Sequence, residues 1–203
     1  MTGKAGLRAG ALRARRAIPR REIDAASRLI EKRLLSLEEY ARADLLVSYC
    51  ATPDEVQTSS IIESALKEGK RVAVVVTEPE TKRLTFSEIT SLEEVAPGHY
   101  GIPEPRPGFL RPVPLEDADL VLVPLVAWDL RGHRLGHGEG YFDRALAGRK
   151  VTKVGLALES QRLGRVPASP HDVPLDLIVT ERRVVRPSGE RFVLNRKGRG
   201  ARE

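Results

Sequence analysis

Eleven residues from Arg134 to Arg144, RLGHGEGYFDR, set three glycines at alternate positions and follow them with two aromatics and an acid. Glycine at 136, 138 and 140 clears Cβ groups from the backbone, so peptide N–H groups can converge on an anion, and Arg134 and Arg144 add permanent positive charge. That is the composition of a phosphate cradle. A tight turn alone accounts for one or two of these glycines but not for all three. The stretch contains GxGxG, yet neither GxxxxGK[ST] nor GxGxxG is present, so it is not a standard P-loop or dinucleotide fingerprint. The histidines at 99, 133, 137 and 171 show no metal-ligand spacing such as HExxH, and no zinc site is expected. The single cysteine, Cys50, lies in the apolar run LLVSYC; it excludes an internal disulfide and reads as a buried thiol.

A cradle needs elements to hold it. Asp119 to Leu125 is a short apolar run of the kind that forms a buried strand in a parallel sheet. The glycines then lie beyond a strand's carboxyl end, where open α/β sheets bind ligands. Residues 141 to 147 read as a helix whose N-terminus opens from the loop and adds its dipole. Upstream, Leu7, Ala11, Ala14 and Ile18 recur at helical spacing over Lys4 to Ile18, with Lys4 and Arg8 one turn apart on a neighbouring face. Pro19 suits the start of a second helix, striped by Ile23, Ala26, Ile30, Leu34 and Leu37 and reaching about Tyr40. Asp44 to Cys50 and Arg71 to Thr77 read as buried strands around a helix from Ser59 to Glu68 that stops at Gly69, one βαβ unit. Leu84 to Ile89 alternates as an exposed strand would. A proline-rich excursion from Pro97 to Pro114 reads as a functional loop, and further strands are expected at Val151 to Leu158 and Leu177 to Val185. The expected fold is α/β, a three-layer Rossmann-like domain with a mainly parallel sheet and an N-terminal helical pair. Residues 1–186 are expected to form that single domain and 187–203 a basic, flexible tail.

The net charge of +6 is unevenly spread. Residues 1–21 carry +7 and residues 181–203 carry +5, which leaves −6 on the central body. A uniformly basic surface would suggest nucleic acid, whereas basic ends on an acidic body read as solvated extensions, so nucleic-acid binding is not expected. The sequence of 203 residues has no apolar run long enough to span a bilayer and no signal-peptide pattern at its start, so a cytoplasmic location is expected.

Five segments, in order, carry a resemblance. Lys4 to Arg8 is similar to K-x-x-L-R, Asp54 to Thr58 to D-E-x-x-T, and Gly101 to Pro105 to G-I-x-E-P. Asp129 to Arg144 is similar to D-x-x-G-x-R-L-G-x-G-x-G-Y-Y-D-R, and His171 to Asp176 to H-D-x-x-x-D. Together they resemble the 5-formyltetrahydrofolate cyclo-ligase family, also called 5,10-methenyltetrahydrofolate synthetase. The resemblance implies an ATP- and Mg2+-dependent ligase with 5-formyltetrahydrofolate as its substrate, and a monomer is expected. It implies phosphorylation of the formyl oxygen, ring closure to 5,10-methenyltetrahydrofolate, and release of ADP and phosphate. Phosphoryl transfer asks for positioning and charge neutralisation more than for covalent help.

By the same resemblance, ATP is held by Lys4, Arg8, Arg134, Leu135, Gly136, Gly138, Glu139, Gly140, Tyr141 and Phe142, and Mg2+ by Asp143 and Asp172. The folate side takes Cys50, Glu55, Tyr100 and His137, with Glu55 accepting paired hydrogen bonds from the pterin and Tyr100 stacking on it. His137 and Tyr141 stand in the catalytic position, and a protonated His137 would help neutralise the transferring phosphoryl group. Three positions depart from the pattern: His137, Glu139 and Phe142 in place of a second tyrosine. Glu139 would repel a phosphate unless it points outward or shares the magnesium. Two alternatives stay open on the sequence, a nucleotide-binding paralogue with another substrate and a nucleic-acid-binding module built on the basic ends.

Overall fold

The computed structural model describes residues 3–187. In chain order it begins with α1 (Lys4–Arg16), α2 (Arg20–Leu35) and α3 (Glu38–Arg42), then β1 (Leu45–Ser48), α4 (Ser59–Lys67) and β2 (Arg71–Glu78). The second helix expected to run to Tyr40 is broken, because Ser36 Oγ donates to Arg33 O at 2.7 Å and ends α2. β3 (Arg83–Ile89), β4 (Val95–Pro97), β5 (Pro103–Pro105), β6 (Leu120–Val123), β7 (Ala127–Trp128) and β8 (Arg134–Leu135) follow. The chain continues through α5 (Tyr141–Leu146), β9 (Thr152–Leu156), β10 (Leu177–Val179) and β11 (Val184–Val185).

Among the described residues, seven strands form the main sheet in the order β11-β10-β9-β6-β1-β2-β3. The five central strands are parallel, and β3 and β11 add antiparallel edges. β1, β6 and β9 are buried at every residue, as strands covered on both faces must be, and their Val and Leu side chains supply the centre of the core. Gly155 on β9 is packed so closely that a Cβ there would come within 2.5 Å of Leu175. The expected α/β fold with a mainly parallel sheet is the one observed. No helix among the described residues is long and apolar enough to cross a membrane.

Three local expectations change. The run from Leu177 to Val185 is two strands rather than one, because Thr180 takes Arg183 O on both its N–H and its hydroxyl and turns the chain back. Leu84 to Ile89 is an edge strand with Phe86 and Ile89 in the core, and the proline-rich excursion runs beside it, with Val113 N donating to Phe86 O at 2.9 Å. That covering backbone satisfies an edge that would otherwise invite another strand. The glycines do not follow β6 directly, since the β7–β8 hairpin comes first.

The hairpin has its own small core of Val126, Ala127, Leu135 and Val166, and α1 packs Leu7, Ala11 and Leu12 against it. This contact carries Lys4 and Arg8 to the sheet's carboxyl edge. Strand order reverses between β1 and β6, since the chain proceeds outward to β2 on one side and to β9 on the other. Side chains leaving those two strand ends splay apart there and leave a crevice. The basic segment 187–203, expected as a flexible tail, lies outside the described residues from 188 onward.

Candidate active site

The loop that leaves β1 is tied to itself. Tyr49 Oη donates to Val56 O at 2.9 Å, Thr58 Oγ1 to Tyr49 O at 2.7 Å, and Thr52 N to Glu55 Oε2 at 2.9 Å. Glu55 is therefore buried with one carboxylate oxygen already held, and its Oε1 lies 3.7 Å from Arg15 Nη1. Cys50, beside it, is also buried; burial first and the Glu104 carboxylate second push its thiol up to about 12, so it stays protonated.

Across the crevice, the β7–β8 hairpin is built around Asp129, which is fully buried. Its carboxylate accepts from the N–H groups of Arg131, His133 and Val166 at 2.9, 3.2 and 2.9 Å, and from the Arg131 guanidinium. Gly132 turns at φ 83°, and a Cβ there would meet Leu175 O at 2.7 Å. The hairpin delivers Arg134, whose guanidinium donates to Asp143 Oδ1 at 2.9 Å and to Val173 O. Val173 N donates to the same Asp143 oxygen at 3.0 Å. Lys4 Nζ pairs with Asp172 Oδ2, which also accepts from Ser169 N at 2.7 Å. Burial pushes the Asp172 carboxyl up, but these bonds outweigh it and hold its pKa below the usual value. Each of the two acids is thus matched to one cation.

The glycine loop runs between these pairs. Arg8 Nε donates to Gly136 O at 2.8 Å, and Gly138, at φ 118°, lets the loop pass so near Arg8 that a Cβ would lie 3.2 Å from its guanidinium. Gly140, at φ 70°, starts α5. With only six residues α5 aligns few peptide dipoles, so side-chain cations and loop N–H groups supply most of the positive field. Glu139 points outward: it pairs with Lys82 Nζ at 2.8 Å on the β2–β3 turn, and Arg144 holds that turn by donating to Lys82 O at 2.6 and 3.0 Å. Phe142 packs against the main core, a contact that suits a ring without a hydroxyl.

The ribbon of β4 and β5 closes the mouth. Glu104 is buried and anchors it, accepting from Thr77 N at 2.9 Å and pairing with His99 Nδ1 at 3.1 Å. A Cβ at Gly98 would fall 2.6 Å from that carboxylate. Tyr100 sits at the ribbon tip with φ 57° and 70% exposure, and its hydroxyl bonds that of Tyr141, pushing the Tyr141 pKa up.

These parts enclose a cavity of about 620 Å3. It brings together Lys4, Arg8, Cys50, Glu55, Tyr100, Arg134, Gly136, His137, Gly138, Glu139, Gly140, Tyr141, Phe142, Asp143 and Asp172. Leu135 is not among them: its side chain is fully buried in the hairpin cluster and its carbonyl accepts Val126 N at 2.7 Å. His137 lines the cavity. Burial pulls its pKa below the usual imidazole value and Arg15 and Arg16 add to this, against opposition from Glu55 and Asp54. This direction runs against the cationic role expected of the ring.

Sequence reasoning passed over Arg15, Thr52, Thr77 and Lys82, and gave no part to Glu104 and Asp129 beyond their places in the matching segments. Arg15 carries a signal, since positions 4, 8 and 15 fall within about 40° of one another on an α-helix. Glu104 carries one too, as the acid of the G-I-x-E-P segment, whereas Lys82 acts through a partner remote in sequence and leaves none. Among the described residues no three His, Cys, Asp or Glu side chains group as a metal cage. Asp143 and Asp172 are the carboxylates that a hard cation could take, and two such ligands suit a partly hydrated Mg2+ that completes its shell with phosphate oxygens.

The chain matches the 5-formyltetrahydrofolate cyclo-ligase family over residues 1–181. It is 32% identical over 159 residues to the 5-formyltetrahydrofolate cyclo-ligase of Haemophilus influenzae, an alignment covering 76% of this chain and 85% of that one. To the Escherichia coli K12 protein of the same name it is 30% identical over 156 residues, covering 75% and 86%. The structure is similar to that of 5,10-methenyltetrahydrofolate synthetase from Aquifex aeolicus, with a TM-score of 0.81 and 32% identity over 97% of this chain and 99% of that one.

Proposed function

The chain belongs to the 5-formyltetrahydrofolate cyclo-ligase family, and on that premise we propose that it converts 5-formyltetrahydrofolate to 5,10-methenyltetrahydrofolate at the expense of ATP. In this reading the formyl oxygen takes the terminal phosphoryl group of ATP. The neighbouring amine nitrogen then closes on the activated carbon, and phosphate leaves. The observation that carries the reading is that a single cavity joins the Lys4–Asp172 and Arg134–Asp143 pairs and the glycine loop to a buried, preheld Glu55. One end suits a polyphosphate and the other a ring bearing N–H donors.

Each paired group has a role in such a complex. Lys4, Arg8, Arg134 and the loop N–H groups would hold the phosphates, while Asp143 and Asp172 would hold Mg2+. Bound Mg2+ would neutralise phosphate charge and orient the terminal phosphoryl group. The two ion pairs of the free protein give these four charged groups a resting state, because each cation and each carboxylate keeps a partner before ligands arrive. Glu55 accepts from the pterin, Tyr100 covers it from the mouth, and Val75, Leu84, Ile102 and Phe142 present apolar walls that limit water around a reactive phosphorylated intermediate. Glu139, turned to Lys82, leaves the phosphate side free of its repulsion.

Ultraviolet absorbance reports the methenyl product directly. With 5-formyltetrahydrofolate, ATP and Mg2+ the chromophore grows, and Asp143→Asn lowers its rate by on the order of a hundredfold. A wild-type protein that binds ATP but forms no chromophore at any temperature within its stable range overturns the reading.

A further inference from the structure

One buried guanidinium joins the two sides of the cavity. Arg15 stands at the inner end of α1 with only 3% of its side chain exposed. Its Nε donates to Asp54 Oδ2 at 3.0 Å and its Nη1 to Leu125 O at 3.4 Å, so it binds the loops that leave β1 and β6 at the crevice between those strands. Nη1 also lies 3.7 Å from Glu55 Oε1, and Nη2 lies 3.2 Å from His137 Nε2 in the glycine loop. A fork of five donors reaches three loops that nothing in the sequence joins.

The chemistry of that last contact is decisive. A guanidinium has N–H donors and no acceptor, so a hydrogen bond to His137 Nε2 requires a lone pair on that nitrogen. We propose that Arg15 is a positioning residue that fixes His137 as the neutral tautomer protonated on Nδ1 and holds His137 and Glu55 in register across the cavity.

The groups facing His137 are Arg15 and Arg16 from α1 and Asp54 and Glu55 from the loop after β1. The two carboxylates alone would draw a proton onto the ring. Arg15 prevents this twice, by pairing with the carboxylates and by occupying the imidazole lone pair. His137 therefore offers the cavity a neutral Nδ1–H donor in place of a cation. The structural part stands on the free protein, and only the effect on turnover rests on the cyclo-ligase reading.

The first test uses full-length protein labelled with 15N, in which long-range proton–nitrogen correlations distinguish the two tautomers, with His137→Gln assigning the signals. The wild type is expected to show His137 with Nε2 unprotonated, and to take up its second proton only below the usual imidazole range. Arg15→Met is expected to raise that titration by at least about one pH unit, a tenfold gain in proton affinity. A wild-type His137 protonated on Nε2, or cationic at neutral pH, overturns the proposal without any variant, and so does an Arg15→Met protein whose His137 titrates unchanged.

The second test is kinetic. Arg15→Lys keeps the buried charge but not the fork, and is expected to raise the folate KM about tenfold while leaving the ATP KM within about twofold. Equal rises in both overturn the positioning of Glu55. A wild type with no turnover removes the proposed reaction, and the tautomer measurement still decides the role of Arg15.

Discussion

Asp129 never reaches the cavity, yet the loop that lines it hangs from this residue. Burial pushes its carboxyl up, and the bonds from Val166, Arg131 and His133 more than reverse this, holding its pKa below the usual carboxylate range. A carboxyl depressed by folding stabilises the protein fully above its unfolded pKa, near 4, and loses that contribution as pH falls through the folded value. Asp129→Asn is therefore expected to destabilise at pH 7 by on the order of 2 kcal/mol, and by visibly less at pH 3, in urea unfolding at the two pH values. An equal deficit at both would show that shape rather than charge holds the hairpin. Glu139 makes the opposite case. It is exposed and its partner Lys82 stands at φ 53°, so what that pair contributes is the direction of a carboxylate, away from the phosphate side.

At the scale of elements, α1 and the glycine loop work as one unit. Leu7, Ala11 and Leu12 seat the helix on the hairpin, and Arg8 then holds the Gly136 carbonyl. Gly138 lies where both constraints meet, with a left-handed φ of 118° and the Arg8 guanidinium 3.2 Å from where a Cβ would stand. Gly138→Ala should cost about 1–3 kcal/mol in backbone strain and displace Arg8. The expected kinetic outcome is an ATP KM raised about tenfold with a smaller change in the folate KM, because the β1 loop that holds Glu55 is untouched. A rise confined to folate would mean that the loop serves the other substrate.

Across the whole molecule, β11 is the last strand among the described residues, and a basic segment from 188 to 203 follows it in sequence. A chain ending at Pro187 should keep kcat/KM for chromophore formation within about twofold, because every residue that lines the cavity precedes it. A large loss would assign that segment a part in the site. The α/β class, the βαβ unit and the stop at Gly69 were legible in the sequence, because apolar periodicity and a left-handed glycine are local properties. The hairpin before the glycines was not, since Ala127 to Leu135 is too short for periodicity and is closed by Asp129 with Val166, far along the chain. The sequence by itself determined the glycine loop, the family resemblance and the residue types of the candidate site, since these depend on composition and spacing within short segments. Only the tertiary structure decided that Glu139 faces outward, that Leu135 is core and that Arg15 reaches His137. Those outcomes depend on which charges meet, and the partners here are separated by 168 residues for Lys4 and Asp172 and by 122 for Arg15 and His137. Contacts of that range follow from the strand order of the sheet, which no local pattern encodes.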